Sequence, residues 1–168
     1  FSGEIFVENA GLVLLHPFLT GLFSNLQLTE NGKFVAEYDQ CLAARVLQFL
    51  VYGENNLSEN FYPLNKILCG MGVSQILGEE VEISEQFKID SEELLQAVIG
   101  HWSVLKNTSI GGLRETFLQR NGKISRVEKG WKLQVERKTV DVLLAKLPWG
   151  MGIVKLPWME EMMFVEWE

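Results

Sequence analysis

Cysteine and histidine are scarce in this chain. Cys41 and Cys69, with His16 and His101, are all that 168 residues provide. No CxxC pair and no Cys/His ligand spacing occurs, so a zinc centre would have to join the two histidines to carboxylates or cysteines at no recognised interval. No metal site is expected. Each cysteine lies in an apolar helical pattern, which favours two buried free thiols, with a disulfide between them as the alternative. Neither histidine has a nucleophile motif around it, so each is read as a hydrogen-bonded structural residue.

Long apolar runs are also missing. The most apolar early stretch, Ala10 to Phe23, is interrupted by His16, Pro17 and Thr20 and falls short of the roughly 20 residues that cross a bilayer. No membrane span is expected. No basic n-region precedes an apolar h-region and a small-residue cleavage site, so the first residues do not read as a secretory signal. The chain opens Phe1-Ser2-Gly3 without a methionine, which suggests processing or, as favoured here, a piece of a longer protein. Basic charge is in deficit, with 15 Lys and Arg against 22 Asp and Glu for a net charge of −7. Nucleic acid is a poor partner for such a surface, because its binding rests on clustered cations that displace counterions. The densest basic stretch, Arg114 to Lys138, mixes Arg114, Arg120, Lys123, Arg126, Lys129, Lys132, Arg137 and Lys138 with Glu115, Glu128 and Glu136, and reads as a solvated face.

Glycine-rich phosphate loops are absent too. Gly70-Met71-Gly72 and Gly150-Met151-Gly152 lack the third glycine of a dinucleotide loop and the GK[ST] ending of a phosphate loop, so both read as turns. The stretch from Gly78 to Glu93 holds seven carboxylates against one lysine. It reads as an exposed acidic connection, since a general acid and base would need opposed environments to separate their pKa values.

Hydrophobic residues make up 47 % of the chain and charged ones 22 %, a globular composition with material for a core. One compact domain is expected over residues 1–168, with a radius of gyration of about 15 Å. Glu4 to Leu15 fits strand or helix equally. Phe18, Leu19, Leu22, Phe23 and Leu26 recur at helical spacing behind Pro17, predicting a helix over 17–26. A second helix is predicted from Asp39, as its cap, to Tyr52, and only Arg45 and Gln48 interrupt its apolar stretch from Leu42 to Val51, which places it at the centre of the core. Gly53 to Asn60 reads as a polar loop. Pro63 opens a short third helix, Asp90 with Glu93 forms a capping box for a fourth, and a fifth follows Ser109. From Gly122 the period changes: Ile124 to Val135 reads as a β-hairpin turning at Glu128-Lys129-Gly130, and 151–156 and 162–167 as further strands. Thr139 to Leu147 fits a short helix or a strand. The expected class is α+β, with a helix-rich N-terminal two thirds and a small antiparallel sheet in the C-terminal third.

The most unusual feature is Leu147-Pro148-Trp149 repeated as Leu156-Pro157-Trp158, with Phe164 and Trp167 close behind. Each proline fixes an extended entry and each tryptophan brings a large surface to bury. Exposed tryptophans would instead serve peptide or carbohydrate binding, although no ring of Asn, Asp or Gln stands beside them.

Taken in order, Val7 to Leu19 (VENAGLVLLHPFL), Leu64 to Gly70 (LNKILCG), Leu105 to Ser109 (LKNTS), the doubled Leu-Pro-Trp and Phe164 to Trp167 (FVEW) resemble the contractile injection system tape measure family from about Ile5 to Trp167. The resemblance implies a non-enzymatic component of a phage-tail-like particle, assembled in the bacterial cytoplasm and lying in the tube lumen of a particle that can be released. It implies a role in tube assembly and length control, with inner tube, cap or baseplate proteins as partners and three or six copies per particle. It implies no cofactor, catalytic residue or metal. A fully helical chain of this length would reach roughly 250 Å, but the pattern is broken by turns, so this segment is expected to be a folded terminal anchor or plug and not the ruler. Trp149, Trp158 and Trp167 are the candidate partner-binding residues. The rivals are a cargo-binding adaptor or chaperone with an apolar groove on its helical part, and a cell-wall hydrolase, for which no spacing selects a pair of facing carboxylates.

Overall fold

The computed structural model describes residues 3–54, 62–78 and 81–167. Strand β1 (Glu4–Val7) leads into a 3-10 turn (Ala10–Leu15) and helix α1 (His16–Asn25). A small hairpin of β2 (Thr29–Glu30) and β3 (Lys33–Phe34) follows. Helices α2 (Glu37–Tyr52), α3 (Pro63–Leu68), α4 (Glu85–His101) and α5 (Ile110–Leu113) come next, the last running into a π-turn (Arg114–Leu118). Strands β4 (Gly122–Val127) and β5 (Gly130–Val135), a 3-10 helix (Thr139–Lys146), β6 (Ile153–Val154) and β7 (Met162–Glu166) complete the fold.

The α+β class and its division along the chain are as expected. The sheet differs in two respects. Its strand order is β1-β4-β5-β7-β6, so the N-terminal strand closes one edge, which settles the open reading of residues 4–15 as strand followed by 3-10 turn. The β5–β7 pairing is parallel while the others are antiparallel. A parallel neighbour needs a crossover, and the 3-10 helix with the two Leu-Pro-Trp segments supplies it.

Helix α2 is the central element, and Ala43 through Val51 are all buried, Arg45 and Gln48 included. Gln48 is accommodated by a buried amide cluster. Asn65 donates to Gln48 Oε1 (2.9 Å) and to the Ala44 carbonyl (2.9 Å), while Asn9 donates to Asn65 Oδ1 (2.8 Å) and Gln48 Oε1 (3.2 Å). The cluster ties the N-terminal segment, α2 and α3 together through four hydrogen bonds, while Asn9 Oδ1 and Gln48 Nε2 are left without a partner. The C-terminal carbonyls of α2 are capped from a distance: Arg114 donates to Phe49 and Leu50 and Gln119 to Val51, all within 3.1 Å. A cation there also suits the negative end of the helix dipole.

Three local expectations need correction. Asp39 does not cap α2; the helix starts at Glu37 behind Ala36, so Asp39 sits within its first turn, where its charge still favours the dipole. Asp90 does not open α4, because Ser84 caps it, accepting from Phe87 N–H; part of the acidic connection is therefore helix, and Glu79 and Glu80 lie outside the described residues, as does most of the expected loop to Asn60. The basic stretch is not uniformly solvated either, since Arg120 is wholly buried.

Arg120 and Asp141 form an ion pair whose side chains are both 0 % exposed. The guanidinium makes two parallel bonds to the carboxylate, at 2.7 and 2.9 Å, and donates further to the carbonyls of Glu136 and Thr116. Asp141 also accepts from Lys138 N–H and from the Trp167 indole (3.0 Å). Burial would raise the Asp141 carboxyl, but the Arg120, Lys138 and Trp167 hydrogen bonds and the Arg120 charge outweigh it and hold the group below its ordinary value. The pair thereby fastens the π-turn to the 3-10 helix and the end of β7.

Asp141→Ala strands a buried guanidinium and is expected to cost about 3 to 5 kcal/mol in urea unfolding, most of it recovered in the double variant Arg120→Met, Asp141→Leu. Because the folded pKa is depressed, the stabilisation is present above the ordinary value of 3.8 and lost as pH falls through the folded value. The double variant should lack that part of the acid destabilisation.

Candidate functional site

The two Leu-Pro-Trp segments lie on the crossover between β5 and β7, and both tryptophans turn back toward the helical part. Trp149 donates from its indole to the Leu14 carbonyl (2.9 Å) and meets Phe18 edge-on, with ring centroids 5.1 Å apart. Beside it, His16 Nε2 lies 2.7 Å from the Gly150 carbonyl. Trp158 donates to the Leu68 carbonyl (2.7 Å) and packs between Phe23 and Phe34. Gly70 makes this approach possible. Its φ is +75°, and a Cβ there would lie 2.7 Å from the Trp158 carbonyl oxygen, so both conformation and space select glycine.

Trp167 is 6 % exposed and its indole is committed to Asp141. Trp149 and Trp158 are half-buried. The structure brings Trp149 and Trp167 to one cleft of about 430 Å3, whose walls include Leu144, Leu147, Met151 and, as a cation, Arg137. Trp158 lies elsewhere, in a groove of about 810 Å3 with Phe34, Val35 and Pro157. The three predicted residues therefore serve two separate depressions, and each indole N–H already has an internal acceptor.

Trp102, a fourth tryptophan, is fully buried, donating to the Leu143 carbonyl (3.1 Å) and packing on Phe117. Together with Trp149, Trp158 and Trp167 it shows one device used four times: a large ring fills a gap and its N–H satisfies an acceptor on a distant element. Sequence reasoning anticipated this role for the Leu-Pro-Trp pair and missed the acceptors, which lie far away along the chain. It missed Arg137 as a cleft residue because nothing in the local sequence separates it from its basic neighbours.

Among the described residues no group of His, Cys, Asp and Glu side chains is arranged to hold a metal ion. Cys41 and Cys69 are not joined in a disulfide, and burial first, then the nearby Cys41, pushes the Cys69 thiol well above its ordinary value, which favours its protonated form. No helix among the described residues is long and apolar enough to cross a membrane.

The chain that carries this amide cluster, ion-pair knot and tryptophan-pinned crossover is matched by a family model. The model describes the contractile injection system tape measure protein and covers residues 2–167. The chain belongs to this family. Searches of curated proteins and of solved structures return no match. As a tape measure family member, the chain is a component of a contractile injection system, and the family is a structural one.

The His16 contact beside Trp149 gives a pH test of the pinned crossover. Burial lowers the His16 pKa from 6.5, with the Gly150 hydrogen bond acting in the opposite direction. Neutral His16 is thus favoured by folding, and its stabilisation is complete above pH 6.5 and lost as pH falls through the folded value. The urea midpoint should decline between pH 7 and 5 and decline less in His16→Gln; equal slopes would remove His16 from the clamp.

Proposed function

We propose that this chain is the folded terminal anchor or plug of a longer tape measure protein, acting in tube assembly and length control from the lumen of the inner tube. The observation that supports the reading is a mismatch of length. The longest helix, α4, has 17 residues, which is about 25 Å at 1.5 Å per residue, and the chain spends the rest on a sheet, turns and a crossover. A segment built this way cannot extend along a tube to gauge it, whereas a compact body can lodge at an end and hold an extended segment in place. On this reading residues 1–168 fold as one compact domain, and measuring falls to a part of the protein outside them.

The surface proposed to dock on a tube, cap or baseplate protein is the aromatic end. Trp149 and Trp158 offer half-exposed flanks at the cleft and the groove, and Trp167 shapes the cleft floor from within. Half-buried aromatics that are already held by internal hydrogen bonds make rigid contacts, because little side-chain freedom is lost when a partner arrives. Arg137 at the cleft would favour a partner segment carrying a carboxylate beside an apolar side chain.

Removing the coding segment for these residues from the full-length protein and imaging particles by electron microscopy tests the role. Missing tubes, or tubes of irregular length, are expected. Normal particles that fail only in delivery would point to a cargo-binding adaptor instead. At the surface, Arg137→Glu should leave the thermal midpoint within a few degrees and weaken co-purification with the docking protein by about tenfold, a loss of roughly 1.4 kcal/mol; unchanged co-purification would clear the cleft of that role.

A further inference from the structure

The two cysteines stand at one level of the contact between α2 and α3. Asn65 of α3 donates to the Ala44 carbonyl (2.9 Å) and to Gln48 Oε1 (2.9 Å), while Gln40 of α2 donates to the Cys69 carbonyl (2.8 Å). As the contact advances from 65 to 69 along α3 it recedes from 44 to 40 along α2, so the two helices run antiparallel here. Cys41 shares a stripe of α2 with Ala44 and Gln48, at the three- and seven-residue spacings that stack side chains on one helical face. Cys69 follows Asn65 by one turn, its N–H bonded to the Asn65 carbonyl (3.0 Å). One turn beyond the Asn65 contact, Cys69 therefore comes level with Cys41. Ala44, wholly buried at the crossing, leaves room for the helices to approach closely.

The two thiols differ in access. Cys41 is half-buried at the margin of the core and Cys69 is 0 % exposed. An accessible thiol backed by a buried one is the arrangement of an attacking and a resolving cysteine.

We propose that Cys41 and Cys69 form a reversible lock between α2 and α3, held as two thiols in reducing surroundings and closed as a disulfide by a small-molecule disulfide acting as oxidant. The Cys41 thiolate attacks one sulfur of the oxidant, and the other sulfur leaves as a thiol with the proton that Cys41 gave up. Cys69 then loses its proton and attacks Cys41 Sγ, displacing the second half of the oxidant as a second thiol. Two protein thiols are oxidised and one small disulfide is reduced to two thiols. Burial keeps Cys69 protonated, so closure is the slow step and quickens as pH rises.

The lock also bears on the crossover. Cys69 lies between Leu68, whose carbonyl accepts from the Trp158 indole, and Gly70, which is packed against the Trp158 backbone. A bond from Cys69 to α2 fixes the stretch of backbone on which the second Leu-Pro-Trp segment is pinned.

The test is oxidation of the folded chain with oxidised glutathione at about pH 8, read by intact mass, by peptide mapping without reductant and by thermal unfolding. The chain is expected to lose two hydrogens, to yield one peptide pair joining Cys41 to Cys69, and to unfold about 5 to 10 °C higher, because the link restricts the unfolded chain. Dithiothreitol should reverse all three changes, and closure should run several-fold faster at about pH 9 than at about pH 7. Cys69→Ala should stop at a single glutathione on Cys41, and Cys41→Ser should take up none while circular dichroism shows it folded. A chain that forms no internal link, that forms it only in urea, or whose link lowers the thermal midpoint overturns the proposal.

Discussion

A guanidinium and a carboxylate taken wholly out of water must be matched nearly atom for atom, and the packing around Arg120 and Asp141 follows from that requirement. Their two direct bonds leave the remaining donors of the guanidinium to be met by the carbonyls of Thr116 and Glu136, and the remaining capacity of the carboxylate by Lys138 N–H and Trp167. Only the Arg120 Nε among these groups has no acceptor, while the flat faces of Phe117 and Trp167 lie within 6 Å of the cation. Four separate stretches of chain must therefore arrive together. The π-turn places Arg120, the end of β5 brings Glu136, the 3-10 helix presents Asp141, and β7 ends where its next residue can reach in.

Once that knot is tied, the route of the crossover is constrained as well. The chain has to pass from the 3-10 helix to the far edge of the sheet and back into a parallel strand, and on the way it contacts the helical part. The two Leu-Pro-Trp segments fasten it there, the first on Leu14 and Phe18, the second on Leu68, Phe23 and Phe34. Close backbone approaches sit at the points where these layers touch. A Cβ on Gly11 would lie 1.7 Å from the Phe117 carbonyl oxygen, so the first 3-10 turn is packed directly against the π-turn that carries Arg114 and leads to Arg120. The surface proposed above to face a partner is what this scaffold leaves over, the tryptophan flanks at the cleft and the groove.

Much of this was legible in the sequence because it is written in short-range patterns. The apolar run of α2, the prolines opening α1 and α3, the serine before α5 and the change of period at Gly122 are local signals, and the elements form where those signals stand. The misses were of two kinds. Helix starts at Asp39 and Asp90 looked persuasive because a carboxylate near the first turn is favourable, yet it is favourable inside the turn as well as at the cap, so residue type alone does not fix the boundary. Long-range pairings were invisible: nothing near Arg120 distinguishes it from the exposed cations around it, and its partner lies 21 residues away. The tryptophans were identifiable as large surfaces with one polar atom each, but their acceptors, up to 135 residues distant, follow only from the fold.

The proposal that the helical layer and the sheet open together as one compact unit is tested most directly by native-state hydrogen exchange resolved along the chain. Amides of the central helix, 43–51, and of strands β5 and β7 should share the same free energy of opening and the same dependence on urea. Strand amides that exchange at much lower cost while the helix stays protected would contradict it, and would divide the chain into two separately stable parts.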